Sequence, residues 1–232
     1  MRALTKMLGL ATAVVLVTAA CGSGTGPAAS RNDPGTGTNT LKVTADIDAN
    51  DDPTVIGGFT TDYSVSVRDG LGSAVSGVTV TISNPSLGTI TLPETSPGSG
   101  DYFKTGSTFP SGDFTLNVVR AADNVKNVIL GGPGVHRITK PLANDTVLAS
   151  QPLAVRWTVP SRAQSAEVET RDFGPVALPD TGAYNVAVVD NPPRPDQRIR
   201  VFRFNEVTAA GGLTGSRLRV TVRQTVEPVV VQ

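Results

Sequence analysis

The feature that most constrains this chain is a series of short segments in which every second residue is apolar, separated by glycine and proline. Residues 41–47 (LKVTADI) alternate in this way, and so do 63–67 (YSVSV) and 78–82 (VTVTI). Successive side chains of a β-strand point to opposite faces, so each segment presents one apolar face to a core. Beyond the apolar start, no stretch repeats apolar residues at the period of an amphipathic helix. The sequence therefore predicts an all-β fold.

The predicted strands form two sets on either side of residues 131–134 (GGPG), a break that few contacts are expected to cross. The first set is 41–47, 63–67, 78–82, 88–92, 102–105, 114–119 and 125–130, and the second is 137–139, 153–158, 167–170, 184–189, 198–204, 217–223 and 228–231. About seven short strands in about a hundred residues are typical of a two-sheet sandwich. We therefore expect two tandem Ig-like β-sandwiches, at 41–132 and 135–232.

The first predicted sandwich carries a family resemblance. Residues 67–80 (VRDGLGSAVSGVTV) resemble the V-x-D-x-x-G-x-x-V-x-G-x-x-V turn of bacterial Ig-like and carboxypeptidase-regulatory-like modules, and 100–103 (GDYF) and 109–116 (FPSGDFTL) agree with it. The resemblance implies that the glycines form tight turns and that the aromatic residues after them enter the core. Turn motifs of this kind recur in unrelated sandwiches, so they indicate a fold and not an activity.

The second predicted sandwich contains a segment with two interpretations. Residues 180–186 (DTGAYNV) resemble the tyrosine corner of Ig-type domains, which implies that the Tyr184 hydroxyl bonds back to nearby backbone. Residues 180–182 also spell the triplet of aspartic proteases, but those enzymes need two such triplets facing each other. Because the sequence holds one triplet, we favour the tyrosine corner.

The start of the chain has the order of an export signal. Arg2 and Lys6 precede an apolar run at 8–17 that is too short to span a bilayer, and small residues at 18–20 lead to Cys21. This stretch resembles the lipobox of bacterial lipoproteins, from which it departs at Thr18, where the family usually has Leu or Val. The resemblance implies a signal peptide at 1–20 and a diacylglycerol with further fatty acyl chains, such as palmitate, on Cys21. A secretory signal followed by a free thiol is the alternative.

The residues after the cysteine predict a spacer and a location. Residues 21–40 hold Cys21 and a stretch of mostly Gly, Ser, Thr, Pro and Asn that cannot bury apolar surface, so we expect a flexible tether. The resemblance places the protein in the cell envelope, anchored to a membrane by its lipid. Gly22, in place of Asp, favours the outer membrane in an organism with two membranes.

Composition excludes several classes of function. The single cysteine rules out an intrachain disulfide and a C-x-x-C site. Residues 41–131 have a charge balance of −5 and residues 136–232 a balance of +3, and neither resembles a nucleic-acid-binding surface, so we expect no nucleic-acid partner.

The densest acidic segment is a candidate calcium site. Asp46, Asp48, Asp51 and Asp52 lie within seven residues, together with Asn50. Ca²⁺ takes six to eight oxygen ligands, which carboxylates and amides at this spacing can supply. The alternative is a solvated turn, in which Asn and Asp are common. We favour the turn and expect no other cofactor.

Arginines form a candidate binding strip on a late strand. Arg217, Arg219 and Arg223 share one face of their predicted strand, and Arg198 and Arg200 extend the strip. Arginine forks suit the oxygens of an anionic glycan or a lipopolysaccharide phosphate. The structural alternative, which we favour, is that these charges prevent strands of different molecules from pairing.

The sequence predicts no catalytic centre. His136, the single histidine, is expected to be a solvated residue of the break, and Trp157, the single tryptophan, a core residue. We therefore expect a non-enzymatic envelope lipoprotein that acts as a binding or structural module on a protein or glycan partner. An accessory carbohydrate-binding lipoprotein is the alternative, and a hydrolase is a remote one.

Overall fold

In a computed structural model the chain is all-β, as the alternation predicts. The structure describes residues 31–52, 55, 57–161 and 163–232, so the predicted signal peptide and Cys21 lie outside the described residues. Within the described residues, no helix has the length and apolarity needed to cross a membrane. The strands are β1 (Thr36–Gly37), β2 (Lys42–Asp52), β3 (Gly58–Arg68), β4 (Thr79–Asn84), β5 (Gly88–Leu92), β6 (Asp101–Gly106), β7 (Asp113–Arg120), β8 (Asp123–Gly131), β9 (Ile138–Lys140), β10 (Thr146–Val147), β11 (Leu153–Trp157), β12 (Ser165–Thr170), β13 (Val176–Leu178), β14 (Ala183–Val186), β15 (Arg194–Thr208) and β16 (Arg217–Val231).

One eight-stranded sheet, the shared sheet, belongs to both halves of the molecule. Its order is β13-β12-β15-β16-β2-β3-β6, and β10 also pairs with β16. β16 is antiparallel to β15 and runs parallel to β2 over 217–223. A five-stranded sheet (β1-β8-β7-β4-β5) and a three-stranded sheet (β14-β11-β9) complete the two sandwiches.

Two apolar cores lie on the inner face of the shared sheet. The first contains buried residues of β2, β3, β4, β7 and β8, including Ile47, Val65, Ile82, Phe114 and Leu130, together with Leu218 and Val220 of β16. The second contains Leu153, Val155, Trp157, Val168, Ile199, Val201 and Val229. The long hairpin of β15 and β16 therefore contributes buried residues to both cores.

The division of the chain between the sandwiches differs from the predicted one. The sequence assigns residues 135–232 to the second sandwich, but Ala209, Leu218 and Val220 are buried in the first core. β15 and β16 are each 15 residues long and extend from one sandwich into the other. The break at 131–134 separates the five-stranded sheet from the three-stranded sheet. It does not divide the shared sheet, because β16 of the final hairpin pairs with β2.

The two predicted segments 217–223 and 228–231 form one strand, β16, with a bulge between them. Val226 lies opposite Ile199 and Val229 lies opposite Gln197, so β16 has one extra residue at this point. The extra residue shifts the alternation, and both Val229 and Val231 become buried. In the sequence alone, the partner strand is unknown, so this shift in the alternation of apolar residues indicates a break between two strands.

The prediction of a free tether is wrong for residues 31–40. β1 pairs with β8, and Asp33 exchanges backbone hydrogen bonds of 2.8 Å with Ile129. A Cβ on Gly37 would lie 2.3 Å from Asn124 O and 2.4 Å from Gly211 O, so this close backbone approach requires glycine. The composition that suggests flexibility here allows backbone to pack against backbone.

The bond expected of a tyrosine corner occurs at a different tyrosine. Tyr102, in the segment 100–103 of the first sandwich, is 3 % exposed. Its hydroxyl donates to Val75 O at 3.2 Å and accepts from Val78 N at 3.0 Å. These bonds join the start of β6 to the loop before β4. In the segment 180–186, by contrast, the Asp180 carboxylate accepts hydrogen bonds from Trp157 Nε1, Ala163 N and Arg203.

Candidate functional site

The outer face of the shared sheet presents one charged surface that extends over both sandwiches. Alternate residues of its strands point away from the two cores, and the strand register places them side by side. The members are Glu167 and Glu169 on β12, Arg198, Arg200, Phe202, Phe204 and Glu206 on β15, Arg217, Arg219, Thr221 and Arg223 on β16, Asp46, Asp48 and Asn50 on β2, and Asp62 and Ser64 on β3. Arginines on the central strands are thus flanked by carboxylates on the strands beside them.

Two of the predicted strip arginines are bound to carboxylates of their own. Arg217 makes a two-pronged pair with Asp46, at 2.7 and 3.2 Å, and also lies 3.4 Å from Glu206. Arg219 lies 3.4 Å from Glu167 and stacks 3.6 Å over the ring of Phe204. The strip is therefore largely neutralised at this end.

β16 is an interior strand, so its arginines do not protect an exposed sheet edge. It has β15 on one side and β2 on the other. The structural alternative expected from the sequence, protection against strand pairing between molecules, is therefore wrong for Arg217, Arg219 and Arg223. Cross-strand pairing with carboxylates within the molecule accounts for the first two of these arginines.

Three arginines at the other end of the face are less completely paired, and we call Arg198, Arg200 and Arg223 the arginine triad. Arg198 Nη2 and Arg200 Nη1 both donate to Glu169 Oε1, at 3.1 and 3.3 Å. Arg223 Nε lies 3.9 Å from Asp51 Oδ1, which is beyond hydrogen-bond distance. Burial lowers the pKa of Arg223, and the guanidinium of Arg200 lowers it further.

The four predicted calcium ligands lie on a strand and not in a turn. Asp46 and Asp48 lie on the outer face of β2, and Asp51, near the end of the strand, accepts from the backbone N (2.7 Å) and the hydroxyl (3.1 Å) of Thr225 on β16. Asp52 is the last residue of the strand. The described residues contain no group of three or more His, Cys, Asp or Glu side chains able to hold a metal ion. Alternation along an extended strand separates carboxylates that a turn would bring together.

Asp48 is a carboxylate in an unfavourable position. It lies between Thr221 on β16 and Asp62 on β3. Burial raises the pKa of Asp48, and the charges of Asp46 and Asp62 raise it further, while a hydrogen bond from Thr221 acts in the opposite direction. The acidic side of the outer face therefore holds negative charge less readily than its sequence suggests.

A buried ion pair occupies the junction between the two cores. Arg203 of β15 and Asp180 have fully buried side chains, and Arg203 Nη2 lies 2.6 Å from Asp180 Oδ2. Burial alone would raise the pKa of Asp180, but hydrogen bonds from Arg203, Ala163 N and Trp157 Nε1 outweigh it and hold the pKa below its usual value. Trp157 is a core residue, as predicted.

The same arginine holds the chain segment that links the sandwiches. Arg203 donates to Gly134 O at 2.7 Å and to Ser161 O. Asn205, two residues further along β15, donates to Gly131 O at 2.7 Å. The predicted break at 131–134 is therefore tied to the shared sheet by side-chain bonds.

The prediction of a solvated His136 is wrong. The side chain is fully buried, and Nε2 lies 3.1 Å from Val201 O. Nδ1 has no hydrogen-bond partner among the described residues. Burial lowers the pKa of His136 to about 4, and the charge of Arg203 contributes to this shift. The ring is consequently neutral at physiological pH.

Two clefts lie near the residues described above, one beside His136 and one beside Asp46. One, of about 320 Å³, lies at the junction between Phe59, Val135, His136 and Val226. The other, of about 330 Å³, lies on the outer side of β2, β3 and β6, where it is lined by Thr44, Asp46, Ser64, Ser66, Thr95, Asp101 and Phe103. Phe103 is 41 % exposed at this cleft.

Sequence reasoning missed the junction, although the sequence contains a signal for it. Along β15 the inward positions run Ile199, Val201, Arg203 and Asn205, so the alternation places an arginine and an amide on the core side. A charged residue that occupies the same face of a strand as buried aliphatic residues indicates that an oppositely charged group is buried beside it. Asp180 could not be identified as that partner, because it lies in a loop distant in sequence.

Comparisons with known proteins relate the chain to other β-sandwich proteins. Among the solved structures it is similar to the fibronectin(III)-like modules of Clostridium thermocellum CbhA, with 12 % identity over 78 % of this chain and 92 % of that one and a TM-score of 0.26. It is also similar to the Yersinia pseudotuberculosis adhesin InvE, with 16 % identity over 80 % of this chain and 60 % of that one and a TM-score of 0.27. No protein-family model matches the chain, and no curated protein does. These likenesses concern the fold class, which the strands already define, and carry no information on a ligand.

Proposed function

We propose that the chain is a lipid-anchored protein of the cell envelope whose two sandwiches act as a non-catalytic binding or structural module. Its membrane attachment is the lipid on Cys21, and its partner is a protein or a glycan of the envelope. In an organism with two membranes the anchor belongs to the outer one. The observation that carries the binding role is the continuous outer face of the shared sheet, which extends across both sandwiches.

The anchor is supported by the order of the first residues. A positive start, an apolar run and small residues precede Cys21. Each buried methylene of an acyl chain contributes about 0.8 kcal/mol, so several chains together hold a protein on a membrane persistently. Residues 22–30 can span at most about 30 Å, and residues 31–40 pack on the first sandwich. The anchored body would consequently lie near the membrane surface.

The module role is supported by the way the sandwiches are joined. The hairpin of β15 and β16 belongs to both, and the ion pair of Arg203 and Asp180 fills the space between their cores. A binding face on such a sheet keeps its side chains at fixed spacing. This rigidity favours a role in binding a partner over a role that requires a conformational change.

Replacing the lipidated residue tests the anchor. We expect Cys21→Ser to move the protein from the membrane fraction to the soluble fraction of the envelope, because no diacylglycerol can be attached. Fractionation and mass spectrometry of the mature N-terminus provide the measurement. Ser23→Ala serves as the control and should remain in the membrane fraction. Retention of Cys21→Ser in that fraction, or an unmodified thiol at position 21, contradicts the proposal.

An accessory glycan-binding role is the second candidate. The cleft beside Phe103 combines an exposed aromatic ring with the hydroxyls of Thr44, Ser64 and Ser66. Sugar rings stack on such aromatic faces, and hydroxyl groups bond to their rims. The chain is nevertheless poor in aromatic residues, at 5 %, which favours the more general role.

Hydrolysis is a remote third candidate, since it requires two close carboxylates in a concave site. Asp48 and Asp62 lie opposite each other on adjacent strands. Asp48 is hydrogen-bonded to Thr221, and Asp62 accepts from the Thr105 hydroxyl at 3.1 Å. Both belong to the face of an open sheet, and their bonds to hydroxyls resemble those of structural carboxylates.

A further inference from the structure

The arginine triad brings three positive groups to one part of the outer face. Arg198 and Arg200 are neighbours on that face of β15, and Arg200 lies directly opposite Thr225 of β16. Arg223 is therefore diagonal to Arg200, a relation in which backbones are about 7–8 Å apart and long side chains can meet. The side chains of Arg198, Arg200 and Arg223 are 22 %, 25 % and 26 % exposed, so solvent reaches part of each.

The triad has far more hydrogen-bond donors than the protein satisfies. A guanidinium carries five N–H donors. Within the described residues, the bonds that these three groups make to protein are the two that Arg198 and Arg200 give to Glu169 Oε1. The Nε atoms of all three arginines are buried and have no partner there. Buried donors without an acceptor destabilise a fold. The partly exposed ends of the three side chains leave further N–H donors open to an acceptor from outside.

The ion pairs of the triad satisfy its three guanidinium groups incompletely. Glu169 faces Arg198 and Arg200, and Asp51 faces Arg223. Both oxygens of Asp51 already accept from Thr225, which leaves Arg223 with a long-range contact in place of a hydrogen bond. Among the described residues, the ion pairs of the triad thus involve only Glu169 and Asp51, and Asp51 is hydrogen-bonded to Thr225.

We propose that the arginine triad binds a phosphate group carried by an envelope polymer or a lipid headgroup. A phosphate monoester presents three terminal oxygens, one for each guanidinium, and the planar fork of arginine matches this geometry. The inference rests on the proposed binding role and names its ligand class. It is independent of the anchor at Cys21.

Arg219 provides a matched control. It lies on the same face and strand as Arg223 and is 27 % exposed. It differs in having its own carboxylate, Glu167, and in stacking on Phe204. A general attraction between basic residues and anions would make an anion bind Arg219 as strongly as the triad. A specific site at the triad would leave Arg219 without the anion.

The test is a titration of the full chain carrying Cys21→Ser with inorganic phosphate and with polyphosphate. We expect the side-chain Nε–H signals of Arg198, Arg200 and Arg223 to shift in NMR spectra, while that of Arg219 stays in place. In calorimetry, Arg200→Gln and Arg223→Gln should each weaken polyphosphate binding about ten-fold, since each removes a charged hydrogen bond. Arg219→Gln should bind as the parent chain does.

Several outcomes overturn the inference. These are the absence of Nε–H shifts at millimolar phosphate, equal shifts at Arg219, or equal weakening by all three substitutions. Arg200→Lys keeps the charge and loses the fork, so unchanged binding by this variant would also contradict the proposed geometry. Thermal unfolding of each variant shows whether it is folded, and the parent chain's own spectra remain decisive if a variant is not.

Vesicles distinguish the two sources of the phosphate group. Phosphatidic acid has a phosphate monoester as its headgroup, so binding to phosphatidic acid vesicles that is lost in Arg223→Gln identifies a lipid headgroup as the ligand. Binding to polyphosphate alone identifies a polymer. Because the chain used carries no acyl anchor, failure here leaves the lipoprotein proposal intact, and failure of the fractionation test leaves this one intact.

Discussion

His136 couples the stability of the fold to pH. Burial and the charge of Arg203 lower its pKa to about 4, from an ordinary value of 6.5. As the pH falls below about 6.5, His136 becomes protonated in the unfolded chain but stays neutral in the folded chain. Protonation therefore lowers the free energy of the unfolded state relative to the folded state. The stability due to this residue is therefore complete above pH 6.5 and is lost as the pH falls through the folded pKa.

Replacing His136 should remove this pH dependence. Between about pH 7.5 and about pH 4.5, we expect the parent chain to lose about 2.5 kcal/mol of unfolding free energy more than His136→Gln does. The glutamine amide can still donate to Val201 O. Urea unfolding at the two pH values measures the difference. Asp180 does not interfere, because its pKa is lowered from 3.8 and it titrates below this window. The same pH dependence in both proteins would contradict the buried, neutral ring.

At the scale of elements, the junction depends on one arginine of β15. Arg203 bonds to Asp180, to Gly134 O and to Ser161 O, so it joins the shared sheet to two loops. A buried ion pair contributes little net stability when compared with apolar residues of the same size, but the loss of one partner leaves the other charge buried and unpaired. The pair therefore fixes the position of the loops more than it adds to stability.

We expect Arg203→Met to lower the unfolding free energy by about 3–5 kcal/mol, because Asp180 is left charged and buried. Arg217→Met is the control, since its pair with Asp46 is partly exposed and should cost at most about 1 kcal/mol. Chemical denaturation of both variants provides the measurement. Equal losses would show that the junction pair is as weak as a surface pair.

Most elements could be predicted from alternation, and their partners could not. The segments 78–82 and 114–119 lie within β4 and β7 almost as predicted, because both are buried on one face only. The parallel pairing of β16 with β2 joins residues more than 170 positions apart, such as Arg217 and Thr44. Nothing local in the sequence encodes that contact, so the sequence predicts that the strip arginines share one face of their strand but not which carboxylates lie beside them.

At the scale of the whole molecule, the first sandwich depends on the end of the chain. Leu218 and Val220 are fully buried in its core, and β16 occupies the edge of β2 that faces away from β3. Each buried aliphatic side chain of this size contributes about 1.5–3 kcal/mol, which is a large part of the stability of a small domain. The predicted domain at 41–132 therefore keeps β2, β3 and β6 of the shared sheet but lacks the strand that pairs with the outer edge of β2 and three buried residues of its core, Ala209, Leu218 and Val220.

A fragment of residues 31–132 tests this dependence. We expect it to remain largely unfolded, because removing β15 and β16 exposes the inner face of β2 and leaves its backbone edge unpaired. Circular dichroism, NMR dispersion and binding of a hydrophobic dye measure the outcome. The matched control is the same fragment joined by a Gly/Ser linker to residues 205–223, which restores the paired edge and both buried side chains and should recover native dispersion. A cooperatively folded 31–132 fragment would show that the first sandwich is complete without the hairpin, and would restore the simpler division of the chain at residues 131–134.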